Sequence, residues 1–346
     1  ISYSGRVTDI ALGRWPEISL MQARQEARRR RKTLGLEPPR GYVLNDAFKL
    51  WCGLKKGRIV SYADERRRLE RYLIKPLGRR QIDEISAPLV ITTVKHIEAE
   101  GHQATLKRVL MRTHEILDLA VCAGYIHHNP CERLSRVFAA PVVTPMPAPE
   151  WHELPNIMQV MKSAPVRMRI LFLFSTCSML RPGENAKLKR SWIDGDILTI
   201  PAKEMKMGRM HRVPLTVFMK QLLEAELRLS PHPRGDVIFA AKQAGKHIST
   251  QTLAKYLHST QLSGKLVAHG LRSMARSWMA DQEISFEVAE ACLSHVAGSS
   301  VSRAYQRSDF LTARVLVMTR WSTFIKRCAR EADMLDGILE PERDKI

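Results

Sequence analysis

Six side chains in the second half of the chain combine types and an order that suit the breakage of a phosphodiester bond. In chain order they are Arg181, Lys206, His269, Arg272, His295 and Tyr305. Guanidinium groups match the geometry of phosphate oxygens, imidazole and ammonium groups transfer protons, and a tyrosine hydroxyl can act as a nucleophile. Each residue alone has an ordinary structural explanation, but together they predict covalent cleavage of a phosphodiester with cationic stabilisation.

The charge of the chain favours a polyanionic partner. Among 346 residues, 55 Lys and Arg stand against 35 Asp and Glu, which gives a net charge of +20. Many cations spread along a chain can release the counterions of nucleic-acid phosphates, so nucleic acid is the leading candidate partner. A ribosomal or membrane-surface protein shares this composition, and charge alone leaves those alternatives open.

Other chemical classes find little support in the sequence. Asp194 and Asp196 flank a predicted turn without a convincing metal-binding pattern, and the six cysteines include no C-x-x-C pair. The cysteines are expected to be free thiols in a reducing compartment, and no apolar run reaches the roughly 18 residues of a membrane span. The first residues lack signal-peptide character and an initiator Met, so the chain is expected to begin part-way into a longer protein.

The elements that must position the six side chains are predicted mainly as helices. Two short strands, 197–201 and 211–215, flank a turn that contains Lys206, and the apolar segment 170–174 delivers Arg181. The remaining helices of this region are predicted at 216–229, 250–260, 270–281, 286–294, 299–306 and 310–330. The fold class is therefore mainly α with small β elements, an α+β architecture.

The preceding part of the chain is predicted to contain two smaller folded segments. A strand is expected at 7–12, followed by a helix that Ser19 and Gln22 begin as a capping box. Helical periodicity then predicts helices at 44–55, 61–75, 87–99 and 104–124, with Pro76 ending the second. Four prolines make the stretch before residue 150 an extended linker. The predicted domains are 1–40, the helical 41–138, the linker 139–149, the catalytic 150–330 and a tail, 331–346.

Several motifs, taken together, allow a comparison with a known family. They are L-R-P-G-E at 180–184, W-I-D at 192–194, M-K at 205–206, H-R-V-P-L at 211–215, H-G-L-R-S-M-A-R-S-W at 269–278, L-S-H at 293–295 and A-Y-Q-R at 304–307. The catalytic region resembles that of the tyrosine recombinases, especially the integrases of prophages and genomic islands. Residues 41–138 resemble the family's core-binding domain, and 1–40 part of its arm-binding domain. The chain departs from the family at Cys177-Ser178-Met179, where small residues are usual.

This resemblance implies a role for each of the six side chains. Tyr305 would attack the scissile phosphate and form a 3′-phosphotyrosyl bond while a 5′-hydroxyl leaves. Arg181 and Arg272 would bind the non-bridging oxygens. Proton transfer and phosphate binding would fall to the remaining residues: Lys206 as general acid with Lys203 as the alternative, His269 as base or relay, and His295 as a phosphate ligand.

The resemblance also implies what the reaction needs. Because the covalent link conserves the bond energy, no metal, ATP or other cofactor is expected. Glu184 either orients neighbouring groups or caps a helix, and the sequence leaves both possibilities open.

The implied partners are double-stranded attachment-site DNA and three further copies of the chain, because exchange between two duplexes needs four active sites. Lys107, Arg108 and Arg112 are candidate phosphate contacts; the alternative is a solvated helix face. A DNA-bending accessory or excision factor is a further possible partner, and action in the bacterial cytoplasm at the nucleoid is expected. The apolar residues of the tail are predicted to pack on a neighbouring subunit: Met334, Leu335, Ile338 and Leu339.

Three rival functions remain at this stage. A type IB topoisomerase shares the chemistry but relaxes supercoils as a monomer. A non-catalytic DNA-binding protein shares the charge, but it has no reason to keep all six residues. A metal-dependent transposase or nuclease would be recognised by the loss of its activity in EDTA.

Overall fold

The chain divides into two compact units, Ile1–Thr144 and Pro145–Ile346, and each contains a hydrophobic core. The computed structural model describes residues 2–3, 6–7, 11–14, 16–33, 41–139, 146–206, 208–295 and 308–339. Within these ranges the structure is mostly helical with small antiparallel sheets, which confirms the predicted fold class. None of the helices in the described ranges is both long and apolar enough to cross a bilayer.

The first unit begins with a short hairpin and one helix. Strands β1 (Ser2–Tyr3) and β2 (Arg6–Val7) pair antiparallel, so the predicted strand at 7–12 is wrong for Ala11 and Leu12, which lie outside any strand. Helix α1 (Leu20–Thr33) starts where it was predicted to start. The backbone N–H of Ser19 donates to Gln22 Oε1 (2.8 Å) and that of Gln22 donates to Ser19 Oγ (3.2 Å), so the predicted capping box is confirmed.

Helices form the rest of this unit. They are α2 (Leu44–Lys55), α3 (Tyr62–Leu69), α4 (Lys75–Leu77), α5 (Ala87–Ala99) and α6 (Gln103–Cys122). The apolar face predicted for α6 is its buried face, with Leu106, Val109, Leu110, Thr113, Ile116, Leu117 and Ala120 all inside. Helical periodicity therefore located the core of this unit correctly.

Pro76 does not end the second helix, contrary to the prediction. A π-helical turn, Glu70–Ile74, continues α3 into α4, and Pro76 lies inside α4. The N–H of Lys75 reaches back five residues to the carbonyl of Glu70. Proline lacks an N–H and its ring crowds the preceding helical turn, so the wider turn lets the helix pass through it.

The second unit surrounds a small sheet with helices. Strands β3 (Ile193–Asp194), β4 (Ile197–Ile200) and β5 (His211–Pro214) are antiparallel, and Ile200 pairs with His211. The helices are α7 (Leu154–Met161), α8 (Val166–Ser178), α9 (Pro182–Ala186), α10 (Val217–Leu229), α11 (Thr252–His258), α12 (Gly270–Asp281), α13 (Phe286–Cys292) and α14 (Leu311–Glu331). The helix predicted at 299–306 lies outside the described residues.

The segment after α14 packs on its own unit, so the predicted packing on a neighbouring subunit is wrong for the described part of the tail. Met334 and Ile338 are buried in the core of the second unit, and Leu335 and Leu339 are partly buried and pack against it. Arg169 fixes the segment by donating to the carbonyls of Met334 (2.7 Å) and Asp336 (2.9 Å). Apolar side chains bury wherever a core accepts them, and here the helices of the same chain do so.

Candidate active site and nucleic-acid interface

Arg272 lies at the centre of the candidate active site. It is on the first turn of α12 and is only 3% exposed. Its guanidinium donates to the carbonyls of Met179 and Leu293 (2.5 Å) and to Nε2 of His295 (3.0 Å). Burial, assisted by repulsion from Arg181, lowers its pKa to about 10, so the side chain remains a cation at neutral pH.

Arg181 reaches the same place from the turn between α8 and α9. Helix α8 ends at Ser178 because Met179 adopts a left-handed conformation, with φ of 56°, which breaks the helical path. The Arg181 guanidinium donates to Glu184 Oε1 (2.9 Å) and to the carbonyl of Ser294 (3.4 Å). The two arginines thus share one neighbourhood although 91 positions separate them in the chain.

Glu184 performs both of the roles that the sequence left open. One carboxylate oxygen accepts the backbone N–H of Arg181 (2.9 Å) at the start of α9, and the other accepts the guanidinium of the same residue. The first contact satisfies an N–H that the helix itself cannot pair, and the second orients the arginine.

His295 follows α13 in a tight helix-ending turn. The N–H of Ser294 donates to the carbonyl of Ala291 and the N–H of His295 donates to that of Glu290, which is the pattern of a Schellman motif. Ser294 takes the left-handed conformation, with φ of 53°, that glycine usually supplies there. This turn aims the carbonyls of Leu293 and Ser294 at the two arginines.

His269 and Lys206 belong to the same electrostatic neighbourhood. His269 precedes α12 and lies at the surface with part of its ring buried. Its pKa is lowered, first by this partial burial and then by repulsion from cations, chiefly Arg272 and Arg181 and also Lys206. His269 is therefore neutral at neutral pH and can accept a proton. Lys206 is exposed in the β4–β5 connection. Among the described residues of that turn, it is the lysine whose charge lowers the pKa of His269.

Gly270 allows α12 to begin where it does. A Cβ built on this residue would lie 2.6 Å from the carbonyl oxygen of Pro147, which no side chain tolerates. The close approach of the 146–150 segment therefore requires glycine between His269 and the rest of the H-G-L-R motif.

Tyr305 lies outside the described residues. Of the six predicted side chains, the structure brings together Arg181, Arg272 and His295 by hydrogen bonds, in which the two arginines donate to the adjacent carbonyls of Ser294 and Leu293. His269 belongs to the same group because the charges of Arg272, Arg181 and Lys206 all lower its pKa. The described residues hold no group of three or more His, Cys, Asp or Glu that could bind a metal ion.

Three further residues at the site were missed by the sequence analysis. Glu290 accepts a hydrogen bond from His295, and Arg276 pairs with Glu290, so both act beside a predicted site residue. His211 on β5 is buried, and burial together with repulsion from Arg314, Arg272 and Arg181 lowers its pKa to about 3. The available signals were the glutamate five residues before His295, the arginine four residues after Arg272, and a histidine opening the H-R-V-P-L motif.

The three predicted DNA contacts on α6 have different surroundings. Lys107 is exposed. Arg108 has a side chain that is 56% exposed and makes a long contact of 3.4 Å to Glu65. Arg112 is 15% exposed and binds two carboxylates, Glu65 (3.4 Å) and Glu115 (2.6 Å). Only the first two side chains are presented to solvent.

Comparisons with known proteins identify the family of the chain. The family model for the phage integrase family matches residues 150–311, and that for the phage integrase central domain matches residues 46–137. Prophage integrase IntA of Escherichia coli strain K12 is 33% identical over 283 residues, which cover 80% of this chain and 68% of that protein. The integrase of Enterobacteria phage P4 is 24% identical, with 91% of this chain and 80% of the relative covered.

Solved structures share the fold. A lambda integrase tetramer bound to a Holliday junction matches with a TM-score of 0.63 at 18% identity, covering 87% of this chain and 89% of the other. The Tn1549 transposon integrase (residues 82–397), in complex with circular intermediate DNA, matches with a TM-score of 0.56 at 13% identity, covering 80% and 99%. The family models and the relatives together show that the chain belongs to the phage integrase family of tyrosine recombinases and is a site-specific DNA recombinase.

Proposed function

We propose that this recombinase integrates or excises a mobile element by cutting and rejoining attachment-site DNA through a covalent bond between Tyr305 and a phosphate. The observation that carries the proposal is the convergence of Arg181, Arg272 and His295, with His269 and Lys206 close enough to act on one another electrostatically. Groups of these types can bind a phosphate and move protons during a phosphoryl transfer.

The proposed step transfers a phosphoryl group from a DNA 5′-oxygen to a tyrosine. The Tyr305 hydroxyl attacks the phosphorus, the bond from phosphorus to the 5′-oxygen breaks, and a 3′-phosphotyrosyl bond forms. Neutral His269 accepts the phenolic proton, and Lys206 delivers a proton to the departing 5′-oxygen. Reversal with a different 5′-hydroxyl rejoins the strand, so the chemistry consumes no ATP.

Electrostatic stabilisation would come chiefly from the two arginines. Arg272 makes its hydrogen bonds to neutral acceptors, two carbonyls and an imidazole, so its positive charge is not cancelled by these bonds. A buried cation whose bonded partners are neutral strongly favours the arrival of negative charge. The phosphate oxygens of the transition state would supply that charge.

For the DNA interface we propose Lys107 and Arg108 as phosphate contacts on α6. Both are exposed, and the long contact between Arg108 and Glu65 leaves guanidinium donors for a phosphate. Arg112 instead braces the helices, because Glu65 and Glu115 already accept from it.

The proposed assembly is a homotetramer on two DNA duplexes. Exchange of both strands of two duplexes needs four nucleophiles, and the solved lambda integrase with a similar fold is a tetramer on a Holliday junction. A DNA-bending or excision factor would complete the complex at the bacterial nucleoid.

A nicked suicide substrate made from candidate attachment-site DNA tests the proposal. Wild-type protein, Tyr305→Phe and a matched control, Tyr256→Phe, are incubated with this DNA in EDTA without ATP. A protein–DNA adduct that survives SDS and disappears with protease is expected from wild type and from Tyr256→Phe only. An adduct from Tyr305→Phe would refute the assigned nucleophile. The absence of any adduct on DNA that the protein binds would favour a non-catalytic role, and an adduct coupled to relaxation by a monomer would favour a topoisomerase.

A further inference from the structure

Four side chains at the active site form a network of three successive contacts. Arg272 donates to His295 Nε2 (3.0 Å), Nδ1 of His295 lies 2.9 Å from Glu290 Oε2, and Arg276 Nε donates to Glu290 Oε1 (2.9 Å). Arg272 and Arg276 are four residues apart on α12, so they project from the same side of one helix. The network therefore connects α12 with the end of α13.

Glu290 is fixed at both of its ends. Its backbone carbonyl accepts the N–H of His295 (2.9 Å) in the turn that closes α13, and its carboxylate is only 15% exposed. The second carboxylate oxygen is occupied by Arg276, whose guanidinium also lies over the ring of Phe286, 5.6 Å from its centroid. The carboxylate consequently has little freedom to turn away from the imidazole.

These contacts define which nitrogen of His295 carries the proton. A guanidinium can only donate, so Nε2 must accept from Arg272 and is unprotonated. Nδ1 then carries the proton of the neutral ring and donates it to Glu290. Nε2 consequently faces Arg272, which is the arginine at the centre of the proposed phosphate site.

We propose that Glu290 is a positioning residue for His295, which it holds in the Nδ1–H form with Nε2 directed at the scissile phosphate. The inference rests on the proposed function for what Nε2 contacts during the reaction. When a phosphate displaces the imidazole from Arg272, Nε2 binds a proton from solvent and donates a hydrogen bond to a phosphate oxygen. Glu290 balances the imidazolium charge that results, as carboxylates do beside functional histidines.

A double-mutant cycle separates positioning from general support of the fold. Single-turnover cleavage of the suicide substrate is measured for wild type, Glu290→Ala, His295→Gln and the double variant, with DNA affinity measured in parallel. Glu290→Ala is expected to lower the cleavage rate about tenfold with little change in affinity, as for other partners of functional histidines. Because Glu290 acts through His295, the same change should have almost no further effect in the His295→Gln background.

Two further variants serve as controls for the cycle. Glu290→Gln keeps an acceptor for Nδ1–H and should retain more activity than Glu290→Ala. Glu287→Gln, on the exposed side of the same helix, should match wild type. An unchanged rate in Glu290→Ala, or an equal loss with and without His295, would overturn the proposal.

A measurement without cleavage keeps this inference separate from the proposed function. Nitrogen-15 NMR of the histidine side chains, with the His295 signals identified by their loss in His295→Gln, reports which ring nitrogen is protonated. Protonated Nδ1 is expected in the wild-type protein, and a change of this pattern is expected in Glu290→Ala. Protonated Nε2 in wild type, or a pattern that Glu290→Ala leaves unchanged, would contradict the inference even if a covalent adduct forms.

Discussion

Each of the two units contains a cluster of arginines, and the clusters differ in what binds the guanidinium groups. In the second unit, Arg181 pairs with a carboxylate, Glu184, whereas the more deeply buried Arg272 donates to the backbone carbonyls of Met179 and Leu293. In the first unit, one buried carboxylate, Glu65, binds three arginines: Arg68 (2.8 Å), Arg108 (3.4 Å) and Arg112 (3.4 Å). A carbonyl orients a guanidinium without cancelling its charge, whereas a carboxylate does both.

This difference distinguishes a site that can receive an anion from an ion-pair cluster that stabilises the fold. We call the cluster around Glu65 the brace. The charge left on Arg272 acts on its neighbours, since it helps to lower the pKa of His211 to about 3 and that of His269 below its usual value. Such a site is held together by the rest of the fold, including the left-handed residues Met179 and Ser294. The Glu65 cluster is instead expected to contribute to stability.

The largest expected effect tests the catalytic side of this comparison. Arg272→Gln removes the buried cation while keeping donor groups, and it should lower the single-turnover cleavage rate about a thousandfold, as the loss of a preorganised donor to a transition state does. Arg272→Lys should rescue little, since an ammonium cannot reproduce the planar fork. Arg112→Gln, measured at saturating DNA, is the control and should leave the rate close to that of wild type. A rate within a few fold of wild type for Arg272→Gln would mean that Arg272 is not a transition-state ligand.

A second prediction addresses the brace. Glu65→Gln leaves three arginines without their shared counter-charge, and it should lower the free energy of unfolding of the first unit by about 2–3 kcal/mol, as the loss of one partner of a buried ion pair does. Urea denaturation measures the change. It is followed by the fluorescence of Trp51 in a background in which the other five tryptophans are replaced. Asp64→Asn, which breaks an exposed pair on the same helix, should cost less than about 0.5 kcal/mol. Equal losses of unfolding free energy from the two variants would show that the Glu65 cluster stabilises the fold no more than an exposed ion pair does.

A third prediction concerns the pH dependence of the second unit. The unfolded chain protonates His211 near pH 6.5, whereas the folded chain keeps it neutral down to about pH 3. Between these values the unfolded state binds the extra proton, so His211 destabilises the fold as the pH falls below 6.5. From about pH 7 to about pH 5.5, wild type should lose about 1 kcal/mol more unfolding free energy than His211→Gln. If wild type and His211→Gln lose the same unfolding free energy over this pH range, a neutral, buried His211 would be contradicted.

The smallest expected effect distinguishes two arginines on one helix. Arg108→Gln should lower the slope of log affinity against log salt concentration by about one, as the loss of one phosphate contact does, and it should cost less stability than Arg112→Gln, because Arg112 also binds Glu115. Arg112→Gln should leave that slope unchanged and lower stability instead. If Arg112→Gln lowered the salt slope and Arg108→Gln caused the larger drop in the denaturation midpoint, the assignment of Arg108 to DNA contact and of Arg112 to structural support would be reversed.

Local sequence signals predicted most of the elements and indicated the candidate site residues, but not the contacts between distant parts. The buried face of α6, the capping box at Ser19 and Gln22, and the strands β4 and β5 follow from patterns within a few residues. Glu65, one of the two carboxylate partners of Arg112, is 47 positions away and could not be inferred from spacing. Helical periodicity identifies which face is buried, and it does not say against what.

The errors have the same origin. Pro76 was expected to stop a helix on local grounds, but a π-helical turn and the packed core around Leu73 and Leu77 accommodate it. Apolar residues of the tail were assigned to another subunit because no nearby element explained them, and the core of the same unit receives them. Glu290 was overlooked because glutamates on short helices are common, and only its geometry beside His295 distinguishes it.

Peptide mapping of the trapped adduct tests the central claim most directly. Wild-type protein is trapped on the suicide substrate, the DNA is digested by nuclease and the protein by trypsin, and the peptides are weighed by mass spectrometry. Cleavage after Arg303 and Arg307 releases the peptide 304–307, in which Tyr305 is the only tyrosine. The account predicts a nucleotide phosphate on this peptide. A nucleotide on any other peptide, with 304–307 unmodified, would contradict it.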